Sequence, residues 1–173
     1  MDSKLEPIVQ AIKSGFGATA DEFRGDVRIL VSAERAIDAL TSLRDQHGFE
    51  LMSTMSAVDY WPKETPRFHV IYQLRSIGKN LVLQVRVPVP SGGDHLPEVP
   101  TASGVYESAN WREREVAEMF GIRFVGHPDP RHLLLPNDME EYPLRKDFPL
   151  GYEEPQFTFN FEEIDLRKPY AKE

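Results

Sequence analysis

The chain has 173 residues, about one domain with an appendage, and 40% of them are hydrophobic. Its formal net charge of -8 disfavours a nucleic-acid-binding protein or a polybasic protein of the membrane surface. Cysteine is absent, which excludes disulfides, thiol catalysis and cysteine-ligated iron–sulfur clusters from this chain. No run reaches the roughly 20 apolar residues of a bilayer span, and we expect no signal peptide.

The first part of the chain predicts two helices and a strand. Apolar residues recur at helical spacing over residues 4–14. Residues 26–31 predict a short strand, and Ser32 is expected to cap a second helix over residues 33–47. Gly48 stands where a left-handed residue commonly ends a helix.

Three further strands are predicted in succession. They cover residues 49–58, 67–75 and 80–87, and the last two alternate apolar and polar side chains. Such alternation indicates an antiparallel hairpin with one face toward the core. The order of elements therefore favours an α+β fold, in which helices pack on one face of an antiparallel sheet of about four strands.

A linker and a last helix complete the predicted compact domain. Residues 88–100 carry four prolines and predict a linker. Asn110 is expected to cap a charged helix, with Glu113 reaching back to the cap in a capping box. Gly121 is expected to end this helix. The domain is predicted to span residues 1–127.

Residues 128–173 predict a long extended, proline-rich tail. They hold seven of the 14 prolines, a density that opposes long helices and central strands. They also hold many large apolar side chains, which would promote aggregation if they stayed uncovered. The tail either folds back over its own domain or lies along another protein. We favour the second arrangement, a tail that wraps around a partner.

Two short segments carry candidate chemistry. In residues 113–118, we expect Arg114 and Glu118 to pair on the helix surface, because residues four apart are neighbours on a helix. In the segment 143–150, apolar anchors flank Arg145, which could make bidentate hydrogen bonds to a partner. The anchors are Leu144, Phe148 and Leu150.

Two runs resemble the 30-kDa subunit family of respiratory complex I, the proton-pumping NADH:quinone oxidoreductase. The first is EREVAEMFGIRFVGHPDPRHLL over residues 113–134, and the second is PLRKDF over residues 143–148. The residues that carry the resemblance or the expected partner interface are Glu113, Arg114, Glu115, Glu118, Gly121, His127, Pro128, Arg131, Pro143, Leu144, Arg145, Lys146, Asp147, Phe148 and Tyr152.

The resemblance implies a non-catalytic structural subunit in the peripheral arm of that enzyme. It implies no cofactor in this chain, with the iron–sulfur clusters, FMN and quinone in partner subunits. It implies a tail that embraces the large quinone-site subunit and helps to hold the subunit of the terminal cluster. It places the protein peripherally on the cytoplasmic side of the bacterial inner membrane. The same resemblance extends to ferredoxin- or deazaflavin-linked quinone reductases and membrane-bound hydrogenases.

Two hypotheses of other classes remain open from the residues alone. His127, Asp129 and His132 could ligate a metal in a small metal-dependent enzyme, although prolines between them leave their geometry unspecified. Alternatively, the chain could be an adaptor that binds a partner outside respiration through residues 143–148. If that segment only docks on a partner, Arg145→Ala should leave the melting of the isolated domain unchanged.

Overall fold

A computed structural model of the protein describes residues 3–63, 65–90 and 95–149. The helices among these residues are Glu6–Phe16 (α1), Ala36–Asp45 (α2) and Ala109–Phe120 (α3), with a 3₁₀ turn at Ala33–Arg35 before α2. The strands are Thr19–Phe23 (β1), Asp26–Leu30 (β2), Leu51–Asp59 (β3), Phe68–Ser76 (β4), Leu81–Val89 (β5), Glu98–Pro100 (β6) and Arg123–Val125 (β7). The α+β class is confirmed.

The main sheet is mixed and has five strands, in the order β1-β2-β5-β4-β3. The prediction of about four antiparallel strands was therefore wrong in two respects. Strand β1 was missed because its sequence, TADEF, lacks the alternation that marks a half-buried strand. Strands β2 and β5 pair in parallel, because the chain crosses over through α2 and the β3–β4 hairpin before β5 returns beside β2.

A second sheet joins two segments that are distant in sequence. Strands β6 and β7 pair in parallel, with Val99 opposite Phe124. Residues 88–100 were predicted to be a linker, yet they contain the end of β5 and all of β6. The two prolines within these strands are tolerated because they lie at strand ends, Pro88 near the end of β5 and Pro100 at the end of β6.

The helix boundaries depart from the sequence prediction at their first residues. Ser32 precedes the 3₁₀ turn but makes no capping hydrogen bond through its side chain. Helix α3 begins at Ala109, so Asn110 is the second residue of the helix rather than its cap. The predicted left-handed residues are confirmed, with φ of 74° at Gly48 and 67° at Gly121.

The core lies between the helices and one face of the main sheet. Alternate residues of β4 and β5 are buried, as the alternation predicted. They join the buried side chains of α1, α2 and α3 in one cluster. Because the strands contribute only one side-chain parity to this cluster, all three helices pack on the same sheet face. Among the described residues, no helix is long and apolar enough to cross a membrane.

Residues 126–149 follow β7 without further helix or strand. They are held by hydrogen bonds to α3 and to the ends of β3 and β4. The described part of the tail therefore returns over its own domain. Residues 150–173 of the predicted tail, with Leu150 and Tyr152, lie outside the described residues.

Candidate functional site

Glu113 points from α3 into the protein interior and is completely buried. Its carboxylate accepts a hydrogen bond from the Thr101 hydroxyl and a second, at 2.6 Å, from the Ala102 backbone N–H. The predicted capping box was therefore wrong, because the glutamate bonds to the loop before the helix instead of to Asn110. The signal that burial was coming lay in the helical spacing of Glu113 with Ala117 and Phe120.

His127 lies beside this buried carboxylate. Its Nε2 atom is 3.8 Å from Glu113 Oε2 and 3.0 Å from the carbonyl oxygen of Asn110. Its Nδ1 atom accepts a hydrogen bond from the Asp129 N–H at 3.0 Å. A ring whose Nδ1 accepts carries its proton on Nε2 when neutral, so this arrangement fits a neutral imidazole that donates to Asn110.

The buried pair borders a pocket of about 170 Å³, with largely apolar walls that include Ile122 and Phe124. A carboxyl group and an imidazole beside a pocket are the groups expected of acid–base catalysis. Here both carboxylate oxygens and both ring nitrogens already bond within the chain. Burial raises the pKa of Glu113, and the hydrogen bonds from Thr101 and Ala102 and the nearby His127 only partly oppose it. The arrangement therefore supports a structural tie between α3 and the residues that flank the tail.

Arg114 and Glu118, one helical turn apart, hold the first residues of the tail; we call this pair the α3 clamp. Arg114 donates to the carbonyl oxygens of Arg131 and His132 at 2.8 and 2.9 Å. Glu118 accepts three backbone N–H bonds, from residues 133–135, at 2.9, 2.9 and 3.2 Å. The predicted surface pair between Arg114 and Glu118 was wrong, because each side chain bonds to the tail backbone instead.

A second set of contacts surrounds Arg114. It forms an ion pair with Asp129 at 3.4 Å, and its guanidinium lies 5.2 Å from the ring centre of Trp111. Asp129 is also held by a bidentate pair with Arg131, with both distances at 2.7 Å. The Arg131 hydrogen bond, with help from Arg114, keeps the pKa of Asp129 well below its usual range. Asp129 is therefore a charged carboxylate that fixes the turn after His127.

These contacts argue against the metal-site hypothesis. His127 bonds to Asn110 and Asp129, while His132 Nδ1 lies 3.1 Å from the carbonyl oxygen of Pro136. The three side chains of the hypothetical site thus face different partners. Within the described residues, no three histidine or carboxylate side chains come together to hold a metal ion.

The Glu118 carboxylate provides a direct test of the clamp. Glu118→Ala leaves three backbone N–H groups of residues 133–135 without their acceptor. We expect the free energy of unfolding to fall by about 2–3 kcal/mol, the range for hydrogen bonds to a charged group. Amide hydrogen exchange at these three positions should accelerate. Unchanged exchange there, with Glu115→Ala as the exposed control, would show that the tail does not depend on the clamp.

The second signature run, residues 143–148, returns to the end of α3. Arg145 donates from Nε to the Phe120 carbonyl oxygen at 2.6 Å and from Nη2 to the Gly121 carbonyl oxygen at 3.3 Å. Its guanidinium lies 4.2 Å from the Tyr142 ring centre. Arg145 thus satisfies carbonyl groups that a helix end leaves unpaired. These contacts conflict with the expectation that Arg145→Ala leaves the melting of the domain unchanged, and they predict a lower melting temperature.

Asp59 and Arg67 anchor the same run from the sheet. Asp59 is buried, and it accepts two bonds from Arg67 at 2.9 and 2.7 Å and one from the Lys146 N–H at 2.8 Å. Arg67 also makes a bidentate pair with Asp147 at 2.9 and 2.6 Å. Burial alone would raise the pKa of Asp59, but bonds from Arg67, Lys146 and the Trp61 N–H hold it below its usual value. Sequence reasoning missed this pair, because no local pattern connects residues 59 and 67 with residue 147.

The remaining signature residues face solvent or fill intermediate positions. Glu115 pairs with Arg112 at 3.0 Å on the helix surface. Pro128 and Lys146 are exposed, whereas Pro143 and Phe148 are half-buried. Large apolar side chains also stay exposed along the clamp and the second run; they are Trp111 (61%), Leu134 (63%) and Leu144 (55%).

Comparisons with known proteins agree with one another. The family model described as "Respiratory-chain NADH dehydrogenase, 30 Kd subunit" matches residues 29–154. A subunit of the NADH-quinone oxidoreductase of Roseiflexus sp. (strain RS-1) is 44% identical over 154 residues, which cover 88% of this chain and 86% of the relative. The subunit of the same name from Rhizobium rhizogenes (strain K84 / ATCC BAA-868) is 38% identical over 176 residues, which cover 97% of this chain and 86% of the relative.

A solved structure is similar over nearly the same extent. It is a chain of the membrane-bound sulfane sulfur reductase, an archaeal respiratory membrane complex. The TM-score is 0.70 with 28% sequence identity, and the match covers 84% of this chain and 85% of that chain. The fold therefore occurs in respiratory membrane complexes of more than one name.

Proposed function

This chain belongs to the family of the 30-kDa subunit of respiratory-chain NADH dehydrogenase and is part of NADH-quinone oxidoreductase, within which we propose that it serves as a non-catalytic structural subunit of the peripheral arm. Its role is to hold other subunits so that electrons pass from NADH through their iron–sulfur clusters to quinone. The FMN, the clusters and the quinone site belong to those partners.

One observation carries this proposal above the others. The charged signature side chains that are best buried bond to backbone groups of their own chain: Glu113 to Ala102, Glu118 to residues 133–135, and Arg145 to Phe120 and Gly121. Groups used in this way shape a surface and fix where a segment leaves it. They support a scaffold role rather than a reaction centre.

The division of the chain follows from the same proposal. Residues 1–127 form the compact domain, and residues 128–173 form the partner-wrapping tail, whose first part is directed by the α3 clamp. Its partners are the large quinone-site subunit and the subunit of the terminal cluster. The protein meets the membrane only through the complex, on the cytoplasmic side of the bacterial inner membrane.

Co-purification tests the proposal. The tagged full chain, isolated from its native membranes, is expected to bring the quinone-site and cluster-bearing subunits with it. Replacement of residues 150–173 by a Gly/Ser segment of equal length should leave the domain folded but reduce the recovery of these partners. Recovery of the tagged wild-type chain as a free monomer would contradict the structural role.

The similarity to the archaeal sulfane sulfur reductase favours a second candidate. The chain would then hold the same position in a complex with a different electron donor or acceptor, such as a ferredoxin- or deazaflavin-linked quinone reductase or a membrane-bound hydrogenase. The set of co-purified subunits separates the two candidates, because only the first requires the subunit that oxidises NADH.

A further inference from the structure

The main sheet has a second face, which we call the outer face, on the side opposite to the three helices. It consists of half-buried or exposed side chains from all five strands. Strand register places them in rows across the sheet; for example, Ile71 lies between Ser56 and Arg86. The outer-face residues on which binding would depend are Val58, Ile71, Gln73, Arg75, Gln84 and Arg86.

The charge of this face differs from that of the whole chain. The chain is acidic, with a formal charge of -8. The face has three arginines, and its carboxylates, Asp21 and Asp26, both lie at the β1–β2 edge. Arg28 is paired with Asp21 there. The part built from β3, β4 and β5 carries Arg75 and Arg86 with no carboxylate of its own.

Arg86 lies at the centre of that part and is oriented by neutral groups. Its Nε donates to Gln84 Oε1 at 2.6 Å, and one terminal nitrogen donates to the Tyr60 hydroxyl at 3.1 Å. Gln84 in turn donates from Nε2 to Gln73 Oε1 at 3.3 Å. Within the described residues, no carboxylate lies at ion-pair distance from Arg86. A guanidinium has five N–H donors in a fixed fork, so several stay available for a planar acceptor.

The face is also large enough for a stable contact between proteins. Three strands of nine residues and two of five residues form it. With strands roughly 4.8 Å apart and about 3.4 Å per residue, its projected area is roughly 600 Å². A standard protein–protein interface covers about 800 Å² of accessible surface on each partner.

We propose that the outer face docks a partner protein that presents a carboxylate-bearing surface, with Arg86 as the central receptor for a carboxylate. Ile71 and Val58 provide apolar contact around it, and Gln73 and Gln84 provide neutral hydrogen-bonding groups. Arginine at the centre of a contact has the character of an interface hot spot. The inference rests on the proposed place of the chain in a multi-subunit complex and identifies one surface through which it assembles.

Charge disfavours the other occupants of such a face. A second copy packed face to face would bring the two Arg86 side chains together without a carboxylate between them. An anionic lipid surface is usually recognised by a cluster of roughly four to eight lysines and arginines, whereas this face has three arginines, one of them already paired. A surface of this mixed kind fits the polar and partly charged surface of a folded protein.

A charge-reversal pair tests the inference in the assembled complex. Arg86→Glu and the control Arg35→Glu are made in the tagged full chain and produced in cells that make the complex. Arg35 is exposed on the 3₁₀ turn, away from the outer face. We expect Arg86→Glu to reduce the amount of co-purified partner subunits at least tenfold, with recovery for Arg35→Glu at the wild-type level. Wild-type recovery should also fall with rising salt.

Several outcomes would overturn the inference. If wild type recovers the partners and Arg86→Glu recovers them equally, the face is not the docking surface. If Arg86→Glu melts well below wild type, Arg75→Glu, an exposed position on the same face, is used instead, and equal recovery again refutes it. Dimers of the purified full chain that Arg86→Glu dissolves would assign the face to a second copy. Binding to vesicles of phosphatidylserine that Arg86→Glu abolishes would assign it to the membrane. Failure of the wild-type chain itself to co-purify would instead contradict the proposed function.

Discussion

Glu113→Ala is expected to lower the free energy of unfolding of the full chain by about 2–4 kcal/mol, since it leaves buried hydrogen-bond donors unpaired and opens a cavity. The donors are the Ala102 N–H and the Thr101 hydroxyl. Urea unfolding followed by circular dichroism measures the change. The matched control is Glu115→Ala, whose side chain pairs with Arg112 on the helix surface, and it should change stability by less than about 0.5 kcal/mol.

The same site predicts a pH dependence with a defined sign. Burial raises the pKa of Glu113 in the folded chain. As the pH rises above about 4.3, the ordinary pKa of glutamate, the unfolded chain releases this proton before the folded chain does. The contribution of Glu113 to stability is therefore fully present below that pH and decreases until the folded group has also ionised.

Glu113→Gln isolates this contribution. Glutamine is nearly isosteric and can still accept from the Ala102 N–H, but it cannot ionise. We expect it to match wild type near pH 4 and to become relatively more stable as the pH rises toward neutrality. Parallel stability curves for the two proteins across this range would contradict a raised pKa, whereas a large loss in Glu113→Ala alone would still support the structural tie.

Gly121→Val is expected to destabilise the chain by about 2–4 kcal/mol, because two costs combine there. The backbone at Gly121 has φ of 67°, in the left-handed region that a branched side chain disfavours. A Cβ at this position would also overlap the Arg145 guanidinium and lie 2.7 Å from Cε2 of Tyr142. The substitution therefore removes residues 142–148 from the end of α3 as well as straining the backbone.

Two measurements separate these costs. Urea unfolding gives the total, and amide exchange at Leu144, whose N–H donates to the Met119 carbonyl oxygen at 3.1 Å, reports release of the tail. Gly104→Val is the control, because that glycine has ordinary φ and nothing within 4 Å of an added Cβ. If Gly121→Val lost stability while Leu144 stayed protected, only the backbone conformation, and not the docked tail, would require glycine.

The two predictions concern opposite ends of one helix. Glu113 ties the first turns of α3 to the Thr101 loop and to His127, while Gly121 admits Arg145 at its last turn. Between them, the α3 clamp holds residues 131–135. Helix α3 thus organises both signature runs around itself, although they are separated in the sequence and neither has a core of its own.

The sequence by itself determined the α+β class, most of the helices and long strands, and the membership in the family. These features depend on local signals: period-two alternation in β4 and β5, helical spacing in α1 and α2, and glycine at left-handed positions such as Gly48 and Gly121. Each signal lies within one element, so the residues that generate it are neighbours in the chain.

Only the tertiary structure decided the parallel pairing of β2 with β5, the pairing of β6 with β7, and the partners of the signature charges. Arg114 and Glu118 have the spacing of a surface ion pair, yet the tail backbone takes both, since several hydrogen bonds to fixed N–H and carbonyl groups outweigh one exposed pair. Asp59 and Asp147 meet through Arg67 although they lie far apart in the sequence. Local patterns specify what a residue can bind, whereas the fold decides which of its possible partners is within reach.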